Sequence, residues 1–456
     1  MDNVWGHYYE GIRAANFYLK ETAGLTFDEW KYSDDYEAIM KEFTNYQYEV
    51  RFLRAYFYFE LIKRYRNIPF VLDVLAQNEA NGVNPESYEK IAKFIVDECS
   101  DLAQILPVNY DNFSTKEKGR VTRAAAMALK SRVTLYMASP LFSEDSEDKW
   151  KQAAEAAYDI IKQKTDLGLD LVPYPQIFND VNNQKAEVIL YRPTGESGDF
   201  EKANFPIGVE GGKTSTCPTQ NLMEAYDMKD GTPFVWNNQS NPYDNRDPRM
   251  KYTIVCNEMK WPVDPVEIWE GGTNGLPLQN ATTTGYYLKK YVNNTISFEA
   301  GSTVTKKQHN WVLFRYGEIL LNYAEAMINA FHDPNYKDAV YNMSAREAVN
   351  QIRGRTNISL PGFPSDITEK DFVKRLKNER RVELAFEGHR FWDVRRWKEL
   401  GQTANIYGVK ITKNNEVISY EKFLLETRAV TDNMYFYPIP NTERFKNPNL
   451  GQNPGW

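Results

Sequence analysis

TRAAAMALKSRVTLYMASPLFSEDSEDKWKQAAEAAYDIIK, residues Thr122 to Lys162, is the stretch on which the reading of the fold turns. Ala125, Leu129, Val133 and Tyr136 recur at the spacing of one helix face, and Thr122 stands where an N-cap belongs. The stripe stops before Pro140, which a helix interior does not tolerate. After a short polar loop, Trp150, Ala153, Ala154, Ala157, Ile160 and Ile161 make a second stripe. Two helices of about four turns, lined with small residues where they cross, predict a helical hairpin of tetratricopeptide type.

The same pattern extends in both directions. Upstream, Ile91, Phe94, Ile95, Leu102, Ile105 and Leu106 predict a helix ending at Pro107, and Phe52 to Ile62 is apolar nearly all round, which predicts burial on most sides. Downstream, Tyr316, Leu320, Tyr323, Met327 and Ala330 form one stripe, and Ala345, Ala348, Val349 and Ile352 the next, so a second hairpin follows. Further helices are expected over Tyr8 to Glu21, Lys370 to Phe386 and Arg390 to Leu400. Thr165 to Asn310 breaks the pattern, being rich in Gly, Pro, Asn and Thr, with Thr219 to Asp227 as its one helical stretch. An irregular segment of that length within a folded chain is normally functional. The expected division is a helical part over 1–164, a loop-rich insert over 165–310 as candidate ligand platform, and C-terminal helical hairpins over 311–456.

Composition narrows the function. Aromatic residues make up 14% of the 456, more than packing requires, and flat rings suit the apolar faces of sugars. A formal charge of −7 supplies no basic field for a phosphate backbone, which argues against nucleic acid as a partner. No run of 18 apolar residues exists to span a bilayer. Cys99, Cys217 and Cys256 are too few and scattered for a disulfide framework, and His7, His309, His332 and His389 make no zinc motif. Nucleophile-elbow, phosphate-loop and dinucleotide motifs are absent, and Gly271 to Gly275 reads as a flexible loop. Glu379, Glu383 and Glu387 tempt as a glycosidase pair, but Arg375, Arg380, Arg381, Arg390, Arg395 and Arg396 crowd the same stretch. A carboxylate held against guanidinium stays ionised, so an ion-pair ladder is expected there and no catalytic residue is assigned.

Several segments together resemble the SusD/RagB family of surface glycan-binding lipoproteins found beside TonB-dependent transporters. They are VRFLRAYFYFELIKRY (Val50 to Tyr65) with NIPFV after it, PTQNLMEAYDMKDG (Pro218 to Gly231), DNRDPR (Asp244 to Arg249), LLNYAEA (Leu320 to Ala326), AVNQIRGRTN (Ala348 to Asn357), NERRVELAFEGHRFWDVRRW (Asn378 to Trp397), YFYPIP (Tyr435 to Pro440) and the terminal NPNLGQNPGW. The resemblance implies an all-α fold of four tetratricopeptide-like hairpins, an α-α superhelix, supporting an irregular loop-rich half. It implies a non-catalytic protein that captures oligosaccharides, or in some relatives peptides, and delivers them to a SusC-like TonB-dependent transporter in the outer membrane. A helical glycoside hydrolase is the remaining alternative. Members carry a signal peptide and a lipobox cysteine; Cys99 falls mid-helix and cannot replace it, so the expectation is that the leader and lipid anchor are missing from this sequence. Outer-membrane placement follows from the resemblance alone.

The family's pocket varies with the glycan, so site residues come from local chemistry. A ring stacked on a sugar and polar side chains bonding its hydroxyls are required. The candidates are Trp269, Trp261 and Tyr286, then Trp236 and Tyr243, with Trp30 from the loop before the long helix, and Asn274, Asn280 and Asp34 as hydroxyl partners. Each ring is weighed against a plug beneath a loop. No cofactor or metal ligand is assigned, although Asp244 and Asp264 leave a structural calcium open.

Overall fold

The computed structural model describes residues 4–113, 117, 119–144, 146–178, 186–237, 241–299 and 305–456. They fall into two units, one of Met1–Gly168, Arg395–Lys398 and Thr431–Trp456, the other of Leu169–Val394 and Glu399–Val430.

In the first unit, α1 (Trp5–Glu21) packs on α2 (Tyr36–Tyr65), whose C-terminal half buries Phe52, Tyr58, Phe59, Leu61 and Ile62 completely. All-round burial carries Glu60, Lys63 and Arg64 inside as well, and they survive there by pairing, with Lys63 at 2.5 Å and Arg64 at 2.6 Å from the Glu60 carboxylate. The short α3 (Gln77–Ala80) and the two-residue strands β1 (Ile68–Pro69) and β2 (Pro85–Glu86) lead to α4 (Tyr88–Ile105), capped by Ser87 Oγ, which accepts from Lys90 N at 3.2 Å. Pro107 ends it by holding Leu106 extended. The hairpin expected over 122–162 is present as α5 (Arg123–Ala138) and α6 (Glu147–Lys162). Successive packing of α2, α4, α5 and α6 stacks them side by side. Thr122 occupies the N-cap position but makes no side-chain cap bond, whereas Ser146 caps α6 through Lys149 N at 3.4 Å.

The second unit begins with an antiparallel pair, β3 (Val188–Pro193) and β6 (Asn310–Arg315). Among the described residues between them lie short elements: α7 (Asp199–Asn204), α8 (Gln220–Met223), α9 (Arg249–Thr253) and the pair β4 (Ile254–Val255) with β5 (Tyr287–Leu288). The helix expected over Thr219 to Asp227 is a single turn, because Arg246 takes its carbonyls: Nη2 donates to Met223 O at 2.7 Å and Tyr226 O at 2.6 Å. These loops fold over a core of their own, with Met223, Tyr226, Met250, Ile254, Val255, Tyr286 and Tyr287 fully buried. The second expected hairpin is α10 (Tyr316–Phe331) and α11 (Ala345–Arg353), the latter opened by a Ser344/Glu347 capping box, and both pack on α12 (Glu369–Glu383). The helix α13 (Arg390–Arg396) stops short of the Leu400 expected, at Lys398 in the left-handed region. A long hairpin, β7 (Asn405–Asn414) and β8 (Val417–Thr427), follows, and α14 (Asn441–Lys446) lies in the C-terminal part of the first unit. The chain is mostly helical, as expected.

A buried ion-pair network runs through the second unit. Glu383 Oε2 meets Arg249 at 2.8 Å, while its Oε1 meets Arg315 and Arg355, each at 2.8 Å. Glu379 pairs with Arg249 at 2.5 Å and Arg353 at 2.8 Å, and Glu387 with Arg315 at 2.7 Å and Lys290 at 2.8 Å. Burial alone would raise the Glu383 carboxyl, but Arg355, Arg315 and Arg249 outweigh it and hold it far below the usual carboxylate range. The ladder expected from sequence is real and its partners differ. Arg380 turns to Asp393 at 2.9 Å, and the guanidiniums that neutralise the glutamates arrive from β6, α9, the end of α11 and the loop after it.

Candidate functional site

The nine expected contact residues separate by burial. Tyr286 is wholly buried, its hydroxyl donating to Gln220 Oε1 at 2.5 Å, and Tyr243 packs edge-on against Tyr286 and Tyr420. Trp261 is 6% exposed beneath Lys289, whose Nζ sits 5.0 Å from the ring centroid. These three rings are plugs of the loop core and present no face to a ligand, because burying them is what gives the loops a hydrophobic centre. Asn274 is also spent internally: Nδ2 donates to Ile207 O at 2.6 Å, and Oδ1 accepts from Glu267 N at 2.9 Å.

Trp269 and Trp236 are half-buried and lean on the same core from outside. Trp236 stands edge-on to Phe234, their centroids 6.4 Å apart. Trp269 carries Lys413 Nζ 4.4 Å from its centroid. Asn280 is exposed in the left-handed conformation that asparagine tolerates. Trp30 and Asp34 belong to the first unit, where Trp30 is 49% exposed and stacked on Phe27 at 5.6 Å. The accessible members of the expected set in the second unit are therefore Trp269, Trp236 and Asn280.

The turn bearing Trp269 is tightly bonded, not the flexible loop its glycines suggested. Gly271 N donates to Leu276 O at 2.7 Å, Gly272 N to Trp269 O at 2.9 Å and Asn274 N to Glu267 O at 3.0 Å. A Cβ on Gly272 would strike Glu267 O, and one on Gly275 would strike Trp269 O, so only glycine lets this backbone double back. Between this turn and the β7–β8 hairpin lies a groove of about 250 Å³ whose lining includes Glu270, Leu276, Thr283, Lys410 and Phe423. Glu270 and Lys410 pair across it at 3.3 Å while each stays about half exposed. Such a groove offers a donor, an acceptor, a hydroxyl and an apolar wall at the scale of a sugar ring.

The contributions of Lys410 and Phe423 were missed in the sequence. Their signal was the alternation of Tyr407, Val409 and Ile411 with Gly408, Lys410 and Thr412, followed by Asn414-Asn415 as a turn, which is the pattern of a hairpin. Among the described residues no three His, Cys, Asp or Glu side chains gather as a metal site.

Comparison with known proteins agrees with this architecture. A family model described as SusD family matches residues 177–456, and one described as starch-binding associating with outer membrane matches residues 1–135. A SusD-like protein P2 of Formosa agariphila is 29% identical over 163 residues, which is 34% of this chain and spans only 28% of that relative's length. A SusD-like protein of Bacteroides fragilis superposes with a TM-score of 0.81 at 26% identity, covering 100% of this chain and 86% of the other. A SusD-like carbohydrate binding protein of the same organism gives 0.79 at 26%, covering 98% and 85%. The resemblance read from the motifs thus holds along both parts of the sequence, and the chain belongs to the SusD family.

Proposed function

We propose that this protein binds oligosaccharides without cleaving them, at the outer surface of the outer membrane, and hands them to a TonB-dependent transporter. The observation that carries the reading is a groove of sugar-ring size, lined by Glu270, Lys410, Thr283 and Phe423, along the rigid turn that also bears the half-buried Trp269. The family's description as starch-binding and the carbohydrate binding named for a Bacteroides fragilis relative support it. A non-catalytic role is supported by the state of the acidic ladder: Glu379, Glu383 and Glu387 are all held ionised by arginine or lysine, so none can act as the protonated acid a glycosidase needs.

A shallow groove with few polar contacts binds weakly, since each immobilised sugar loses freedom and each hydroxyl must be desolvated. Affinities of roughly micromolar to millimolar follow, about 4 to 8 kcal/mol, with coupling to a transporter adding avidity. The test is calorimetry against plant, host and microbial polysaccharides with product analysis of the same mixtures. Trp269→Ala should weaken the glycan that binds by about tenfold or more, the worth of one stacked ring. Tyr286→Phe should leave affinity intact while lowering the melting temperature, because it takes from the buried Gln220 Oε1 its donor. Cleavage products would overturn the reading, and binding of peptides in place of every polysaccharide would replace it.

A further inference from the structure

A second cavity of the second unit shares no lining residue with the groove at Glu270 and Lys410. It is a cleft of about 830 Å³, within the usual size of ligand sites, with one face of α12 as its floor and Phe234 and Arg390 on its walls. The acids that reach it are mostly engaged. Glu224 pairs with Lys422 at 2.8 Å, Asp227 with Arg353 at 3.3 Å, and Glu399 with Lys377 at 2.5 Å. Asp371 serves the N-cap of α12, and Asp366 is exposed.

The cations are not matched in the same way. The side chain of Arg381, part-buried on α12, makes no hydrogen bond or ion pair among the described residues, and Lys370 and Lys374 form no ion pair among them either. Arg390 bonds the neutral amide of Gln402 at 3.0 Å. Burial, and then the charge of Arg390, push the Arg381 guanidinium down to about 10, and burial lowers Arg390 as well. Two part-buried guanidiniums that repel one another line this cavity, offset in part by Glu224 near Arg381 and by Asp393 and Glu399 near Arg390, and an anion between them would relieve the remaining repulsion. The guanidinium fork matches a carboxylate or sulfate in two parallel hydrogen bonds, and Phe234, one face of which is taken by Arg246, lines the same cleft.

We infer that this cleft binds the anionic group of an acidic saccharide, a uronate carboxylate or a sulfate ester, through Arg381 and Arg390. The inference rests on the glycan-binding reading and names its substrate class. It is tested by calorimetry with three probes of equal length: a neutral glucan oligosaccharide, an oligogalacturonate and a sulfated galactan oligosaccharide. The expected result is that at least one acidic probe binds more tightly than the neutral one, and that Arg381→Gln weakens it by about tenfold, the worth of a charge-assisted contact, without moving the melting temperature. The two acidic probes distinguish carboxylate from sulfate. Arg390→Gln serves as the second variant and should weaken the same probe if Arg381→Gln fails to fold. Acidic affinity unchanged in both variants, or binding of the neutral probe alone, would overturn the inference and leave the function standing. Failure of all three probes together with the polysaccharide panel would remove both.

Discussion

Gly317, the second residue of α10, has no side chain because there is no room for one. A Cβ there would overlap Arg315 Nη1 and come within 2.9 Å of Glu187 Oε1, two members of the buried ion-pair network. Gly317→Ala should therefore cost about 3 kcal/mol or more, the range for breaking a buried pair, despite alanine's better helix propensity. Chemical denaturation of the two proteins would measure it; a stabilised variant would mean that the network has slack. Nothing near Gly317 in the sequence announces this, because Glu187 lies 128 residues before Arg315. Trp261, Tyr243 and Tyr286 illustrate the same limit at the site: a ring in a loop is a plug or a platform according to what packs on it from far away, as Gln220 does on Tyr286 across 66 residues. Asn274 was legible as a polar loop residue, but its use as a staple to Ile207 was not.

At the scale of elements, the helices were the most legible part, since a stripe of period 3.6 is a local signal and prolines at 107 and 140 mark the ends. The β7–β8 hairpin was passed over because its alternation is broken on β8, where Lys422 and Phe423 are both part-buried while Leu424 and Leu425 are exposed. The face of α12 that carries Glu379 and Glu383 was legible as charged, and its partners were not. That face also sets an acid limit. Glu379, Glu383 and Glu387 all have folded pKa values below the 4.5 of a free glutamate, so between those values the unfolded chain binds more protons and stability rises with pH. The stabilisation is complete above about pH 5 and is lost as pH falls through the depressed folded values. Melting temperatures from pH 7 down to pH 3 should be flat, then fall. Glu383→Gln should start lower by about 3 to 5 kcal/mol and descend less steeply, having one proton fewer to take up. A parallel descent would mean that Glu383 does not contribute to the acid limb.

For the molecule as a whole, a net charge of −7 and a cleft with unmatched arginines are compatible because the cations are gathered on one face of one helix and a wall beside it. The whole-chain field repels a stiff polyanion, while a single acidic sugar responds to the local one. A DNA duplex should accordingly show no shift in a gel assay at physiological salt; a stable complex would put the charge argument in error. Fold class and family were legible across the chain because they depend on many weak motifs in order. The location of the groove was not, because it is made where the turn after Trp269 meets a hairpin more than a hundred residues later.

The glycine turn beneath Trp269 has an evolutionary corollary. Its shape is fixed by carbonyls packed where Gly272 and Gly275 lack a Cβ, so the frame depends on two residues that never touch solute. The side chains of Glu270, Leu276 and Thr283 line the groove, while the turn itself is held by backbone bonds such as Gly271 N to Leu276 O. If the groove holds a sugar as proposed, a lineage can exchange these side chains to meet a different one while the scaffold stays as it is, so that a new ligand is reached by substitution at a rim and not by folding the chain anew.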